Sequence, residues 1–479
     1  MALAQGLKTA EATARDAALA ERLRDHIAQL QIPGAAIAIW DRGQITEAAA
    51  GWANVEAEIA ADTRTIFQIG SITKVFTATL MVRLAEEGLV ALDAPVRTYL
   101  PALRLSGRPA PEGLTVRSLL DYSSGIVGEY FDDFGAGPDA LACYVDACAD
   151  LPFLFKPGTM RAYSSTAYCV AGLVVEAVTG LDFEQALVDR LLAPLGLERY
   201  AFSRGDVARF RTAIGHHLDE AGGFVGARSL HLPYCMCASG ASLTMSALDL
   251  LRFGLLHLKD GVALDGARLI SAAGIGSMTT PWRIVPPNNS ELIMGWATLP
   301  TDRGRMVAAS GATVEQNAFV IHLPGHDFAM AILANVAGGA QKLLMTLGGL
   351  LLKECTGATP AFPTVDTAEH PQSAPIDPAL YSGDYTNHTR AKVEPDAAGL
   401  RATVTAKETT SDRLVSQTLT LRSLGDHRFT TVVDESGAAG PGVQFLFMAG
   451  DDRASHLAMP GGRIFARCDA AGRTGILAE

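Results

Sequence analysis

Residues 34–40, GAAIAIW, run apolar, and residues 44–52, QITEAAAGW, carry a second apolar pattern beyond the turn Asp41-Arg42-Gly43. Two short runs joined by a glycine-containing turn predict a β-hairpin. Short-period apolar patterns return late in the chain, in RMVAAS (305–310), NAFVIHL (317–323) and DFAMAILANV (327–336), the last two joined by Pro324-Gly325-His326. Longer, helix-like patterns enclose these strands. The N-terminal 30 residues, with charges at Lys8, Glu11, Arg15 and Asp16, predict an amphipathic helix, and AQKLLMTLGGLLLKEC (340–355) predicts another. Between the two groups of strands, residues 71–270 read mostly as helices and loops. This order predicts an α+β fold, an antiparallel sheet flanked by terminal helices with a helical subdomain inserted between its strands.

Periodicity disappears from 356 to 378, TGATPAFPTVDTAEHPQSAPIDP, a stretch rich in proline and small polar residues that is expected to be a linker. Six short alternating runs follow, RAKVEP, LRATVTA, LVSQTLTL, HRFTTVV, VQFLFMAG and GRIFARC, separated by Gly or Asp turns. They predict a separate small antiparallel β-barrel or sandwich of about 100 residues. The expected division is therefore 1–355, the linker 356–378, and 379–479.

A chain of 479 residues exceeds one ordinary core, and 48% hydrophobic with 19% charged residues is a globular composition. The net charge of -12 argues against a nucleic-acid or anionic-membrane partner, either of which needs a basic face. No run reaches the ~18 apolar residues of a membrane span, and the early charges do not fit a signal peptide. A cytoplasmic location is expected, or a periplasmic one if a leader has been removed. The seven cysteines are odd in number and sit in apolar runs such as AYCVAGLVV, which predicts reduced, buried thiols. Cys235-Met-Cys237 lacks a second ligand pair and no H-E-x-x-H occurs, so no metal or other cofactor is expected.

Chemistry enters at residues 71–89, SITKVFTATLMVRLAEEGL. Ile72, Phe76, Leu80 and Leu84 recur every fourth residue and Gly88 follows as a stop, which predicts a helix beginning near Ser71. Ser71 then lies where unpaired backbone N–H groups favour negative charge, and Lys74 lies one turn on. A serine hydroxyl attacks only if a base takes its proton, and a lysine is a base only when burial or neighbouring cations keep it uncharged. Serine is also a common N-cap and lysine a common solvated residue. Yet among the eight lysines only Lys74 has serine three residues before it, and it follows the apolar run TIFQIG (65–70).

Further motifs appear in a fixed order. LLDYSSGI (119–126) looks like an L-L-x-H-T-S-G-L segment, and FKPGTMRAYSSTAYCVAGLVVEAVTG (155–180) is similar to P-G-x-x-x-x-Y-S-N-x-x-Y-x-x-L-G-x-x-I-E. With S-x-x-K at Ser71 and Lys74, residues 20–355 resemble the serine β-lactamase and penicillin-binding-protein superfamily, in particular its β-lactamase-related peptidases and esterases. The resemblance implies an acyl-enzyme on Ser71, with Lys74 and Tyr163 handling protons. Ser165 falls on the asparagine position of Y-x-N, where it offers one donor in place of two. The third family motif, K-T-G or H-x-G, aligns with Ala309, Ser310 and Gly311, so its cation is missing. Backbone chemistry survives: Gly311 lets substrate lie along the strand edge, and the N–H groups of Ser71 and Ala312 would form an oxyanion hole. Glu315 stands where the family usually has a second glycine.

The acidic run Glu129, Asp132 and Asp133, with Glu315, offers a place for a substrate ammonium, although a solvated acidic loop is the preferred reading. No G-x-S-x-G elbow occurs, and His322 and His326 merely flank a turn, which disfavours an α/β-hydrolase. The C-terminal barrel resembles the lipocalin-like modules of some D-aminopeptidases and peptide cyclases, which restrict access or mediate a homo-oligomer. The expected activity is hydrolysis of an amide bond in a small or linear peptide, D-residues included. An esterase, an acyltransferase or peptide cyclase using the same serine, and a catalytically weak binding protein lacking the cation at Ala309 are the alternatives.

Overall fold

Large and small side chains alternate along the central strands, and that alternation sets the layers. In β1 (Gly34–Asp41) the side chains of Ala35, Ile37 and Ile39 join a core with Phe328, Met330 and Ile332 of the neighbouring strand, whereas Ala36 and Ala38 face the other way. The structure is a computed structural model that describes residues 10–128, 130–202, 204–280, 292–360, 376–387, 389–397, 399–407, 414–425, 427–432, 439–447, 451–459, 463–468 and 474.

The sheet is antiparallel and comprises β1, β2 (Gln44–Asn54), β3 (Ile59–Ala60), β4 (Leu292–Ile293), β5 (Trp296–Thr301), β6 (Gly304–Ala312), β7 (Asn317–Leu323) and β8 (Phe328–Ala334). Their spatial order is β4-β5-β6-β7-β8-β1-β2-β3, so β1 of the N-terminal hairpin pairs with β8 from the end of the family-like region. Helix α1 (Ala10–Gln29) lays Leu19, Leu23 and Ile27 on one face beside Leu343, Leu347 and Leu351. Each such buried aliphatic side chain contributes about 1.5–3 kcal/mol. A later helix, Ala247–Leu258, covers strands β1, β7 and β8. It lies so close that a Cβ on its Gly254 would come within 2.8 Å of Val320 Cγ2.

The expected hairpin, late strands and terminal helices are all present, the last helix running as Gly339–Leu343, a π turn Leu344–Gly348 and Gly349–Thr356. Two differences bear on the site. The α-helix α2 spans Thr73–Glu86, and Ser71 lies just before it in a 3-10 turn, Gly70–Ile72. The inserted region also contains short strands, among them Phe67–Gln68 paired with Thr244–Met245. Of the thiols, Cys148, Cys169, Cys235 and Cys237 are buried as expected; Cys143 is exposed, because its short helix Ala140–Ala147 buries Leu141, Tyr144 and Val145 instead, and Cys355 and Cys468 are half-buried.

The C-terminal strands, from Gly383–Thr386 to Arg463–Arg467, form a closed eight-stranded antiparallel barrel. Its interior is filled by Tyr381, Tyr385, Phe429, Phe445 and Phe465 with aliphatic neighbours. The Arg467 guanidinium lies against this core, with Nε donating to Ala454 O at 2.6 Å and Nη2 to Tyr385 Oη at 2.9 Å.

Two compact units emerge. The first takes in the described parts of Met1–Val90, Thr179–Trp282 and Glu291–Ala361; the second takes in those of Ala91–Val178, Arg283–Ser290 and Phe362–Glu479. The barrel falls in the second unit because Ala458, Ile464 and Ala466 on its wall pack with Val127, Leu154, Phe155 and Met160. Most of the predicted linker, 361–375, lies outside the described residues.

Candidate active site

In the first unit, strand Phe67–Gln68 delivers the chain into the turn that carries Ser71. Ile69 N–H donates to Leu243 O at 3.2 Å, which ties that turn to the 234–243 segment. Helix α2 is buried on every side over its first turns, the pattern of a core helix. Lys74 is therefore only 1% exposed. Its nitrogen Nζ lies 2.7 Å from Ser239 O and 3.2 Å from Ser71 Oγ. One turn on, Thr77 Oγ1 donates to Ala238 O at 2.7 Å, so two consecutive carbonyls of the 234–239 turn face this helix.

Glycines let three backbone segments meet at Ser71. A Cβ on Gly311 would lie 1.9 Å from Ile69 O and 2.7 Å from Ser71 N. Gly240 has φ +128°, and a Cβ there would lie 2.9 Å from Ser71 N. Alternation along β6 buries Ala309 and Gly311 and exposes Ser310 and Ala312. Asn317 on β7 locks the end of that strand, with Nδ2 donating to Gly311 O at 2.9 Å. Glu315, half-buried in the following turn, has φ +54°. That left-handed backbone explains why a glycine suits the position.

In the second unit Tyr163 is half-buried, its ring stacked on Tyr122 with centroids 5.4 Å apart. Ala162 N–H donates to Tyr122 O at 2.9 Å, and Tyr168 Oη donates to Leu120 O at 2.7 Å. The two motif segments of the sequence thus support each other. Burial drives the Tyr168 hydroxyl well above its ordinary range. Ser165 is buried as the first residue of helix α3 (Ser165–Thr179), and its N–H donates to Gly128 O at 2.7 Å. Ser164 Oγ, not Ser165, caps that helix by accepting from Ala167 N at 3.0 Å. From the barrel, the Arg463 guanidinium stands 5.8 Å from the centre of the Tyr163 ring.

Ser71, Lys74, Gly311 and Ala312 thus share one neighbourhood of the first unit, while Tyr163 and Ser165 belong to the second. Glu129 lies outside the described residues; Asp133 is exposed, its carboxylate accepting from Gly135 N at 2.8 Å. His322 is buried against Trp296 and His257, remote in character from a catalytic base, and burial pushes it down to about 3. Sequence reasoning missed the Ser239 carbonyl and the close approach of Gly240, because backbone contacts leave no mark in the side-chain alphabet.

The family model described as Beta-lactamase matches residues 19–347, and the chain belongs to that family. Penicillin-binding protein 4 of Amycolatopsis lactamdurans is 34% identical over 363 residues, covering 74% of this chain and 93% of that protein. The solved structure of SurE aligns over 95% of this chain and 100% of its own, with 26% identity and a TM-score of 0.78. D-amino acid amidase from Ochrobactrum anthropi shares the fold at 19% identity, covering 71% of this chain and 99% of its own with a TM-score of 0.57.

Proposed function

We propose that the chain is a serine hydrolase that opens an amide bond of a small or linear peptide, D-residues included, through an acyl-enzyme on Ser71. The observation that carries this reading is the buried Lys74 amine, 3.2 Å from Ser71 Oγ and oriented by Ser239 O at 2.7 Å. Lys74 takes the Ser71 proton as Oγ bonds to the scissile carbonyl carbon. The N–H groups of Ser71 and Ala312 receive the developing oxyanion, each such donor being worth about 3–4 kcal/mol. The C–N bond then breaks, and the departing amine takes the proton that Lys74 and Tyr163 pass to it. Water then bonds to the acyl carbon and gives its proton to the same pair, which returns it to Ser71 Oγ as the ester C–O bond breaks and the carboxylic acid leaves.

Substrate is held by Ser165 and by the strand edge of Ser310 and Gly311, and Glu315 receives an ammonium group. SurE, solved also with D-Leu and 27% identical in that form, supports a substrate bearing a D-residue.

Intact mass after incubation with a fluorophosphonate tests the reading. Wild type gains one adduct, mapped to Ser71; Ser71→Ala gains none, and Lys74→Met labels about a hundredfold or more slowly. Labelled protein is then replaced by fresh enzyme and a library of linear peptides with L- and D-residues, beside p-nitrophenyl esters. Cleavage of esters alone would replace the peptidase reading by the esterase one. An adduct on another residue would overturn the site.

A further inference from the structure

The 234–243 segment touches the nucleophile turn at successive points. Ala238 O accepts from Thr77 and Ser239 O from Lys74, each at 2.7 Å, Gly240 packs on Ser71 N, and Leu243 O accepts from Ile69 N. One carboxylate ties the segment at both ends. Tyr234 Oη donates to Glu184 Oε2 at 2.6 Å, and Ser242 Oγ donates to Glu184 Oε1 at 3.3 Å. Glu184 belongs to the short helix Phe183–Leu187, whose cap Asp182 accepts from Gln185 N at 2.8 Å.

We propose that Glu184 is a positioning residue for acylation of Ser71: by gripping Tyr234 and Ser242 it fixes the Ser239 carbonyl, and through that carbonyl the Lys74 amine. The proposal rests on the acyl-enzyme reading above. A carboxylate has acceptor sites for both donors, whereas a protonated carboxyl turns one oxygen into a donor that competes with the phenol. The grip is therefore sensitive to protonation. Burial raises the Glu184 carboxyl to about 7, against the downward pull of the Tyr234 and Ser242 hydrogen bonds, with Asp182 and Asp206 adding to the rise. Burial, with Glu184 beside it, drives the Tyr234 hydroxyl up, so that it remains a donor. Among the described residues, the other charged or titratable groups around the pair include Cys237 on the segment and Glu198, Tyr200 and Arg209, which with Asp206 line a cavity of about 400 Å³ that reaches Glu184.

The test measures fluorophosphonate labelling of Ser71 from about pH 5 to 9 in wild type, Glu184→Gln and Tyr234→Phe, with backbone hydrogen exchange over 234–243. The wild-type rate carries an acid limb near pH 7 that Glu184→Gln lacks. Above that limb both variants label roughly ten to a hundredfold more slowly, the usual effect of a slightly misplaced reacting group. In both, the 234–243 amides exchange faster. A merely structural role would lower the melting temperature and leave the limb in place. Glu184→Gln labelling at the wild-type rate with the limb retained, or unchanged exchange over 234–243, overturns the proposal. If Glu184→Gln does not fold, Tyr234→Phe decides by the same rate and exchange criteria. A wild type that never labels at Ser71 overturns the acyl-enzyme reading and the claim on its rate together, an outcome distinct from equal labelling of wild type and variant.

Discussion

Gly311 has no room for a methyl group, since a Cβ would meet Ile69 O at 1.9 Å and Ser71 N at 2.7 Å. Gly311→Ala must therefore push β6 away from the nucleophile turn. We expect it to cost about 1–3 kcal/mol in stability by overpacking and to slow Ser71 labelling at least tenfold, read from a denaturation curve and the labelling rate. Residues of this kind are the legible ones: Ser71, Lys74 and Gly311 stand out because chemistry or sterics restricts the position to one residue type. Ser239 does not, because it acts through a carbonyl that any residue would carry. Glu184 was equally hidden, since its partners, Tyr234 and Ser242, are 50 and 58 positions away and form no spaced motif.

At the level of elements, the turn between β6 and β7 keeps a left-handed residue without the glycine that favours it. Glu315 at φ +54° carries a backbone cost of about 1–2 kcal/mol. Glu315→Gly should relieve part of it and raise the melting temperature, while weakening a substrate that presents an ammonium group; thermal melts and KM separate the two effects. Strands with a long period-two pattern were visible in the sequence, and those without one were not. β5 contains Pro300, which pairs with Arg305 near the sheet edge and interrupts the strand signal, and β4 has only two residues. In the barrel, Gly383–Thr386 and His456–Met459 are four residues each, too short to show a period, so six runs were read where eight strands close. The helix after Ser71 was legible, but its 3-10 entry was not, because the three residues Gly70–Ile72 are too few to leave a period of their own.

Over the whole molecule, buried titratable groups set opposing slopes of stability against pH. His322 titrates near 6.5 when unfolded and is pushed by burial to about 3 when folded, and His257 is lowered in the same way. Between those values the unfolded chain holds the extra proton on His322, so stability falls as pH drops through about 6.5, by about 1.4 kcal/mol per unit for that histidine, and His257 acts in the same direction. Glu184 acts the other way. Its carboxyl rises from 4.5 to about 7, the folded chain holds the extra proton between them, and stability falls as pH rises across that window. Burial lowers His216 and His456 as well, so these histidines against one carboxyl leave a net loss on acidification from about 6.5 towards 5, measurable by urea denaturation at stepped pH. His322→Leu should flatten that slope by nearly one proton.

The second unit also has a consequence for synthesis. Val127, Leu154, Phe155 and Met160 leave the ribosome some 300 residues ahead of Ala458, Ile464 and Ala466, the surfaces they pack against. Until translation ends, that greasy patch waits uncovered, and a stop codon placed after the sheet would leave it so permanently. A gene shortened to the family-like portion would be expected to yield sticky, chaperone-bound protein, and adding the missing tail in trans offers a route to rescue it.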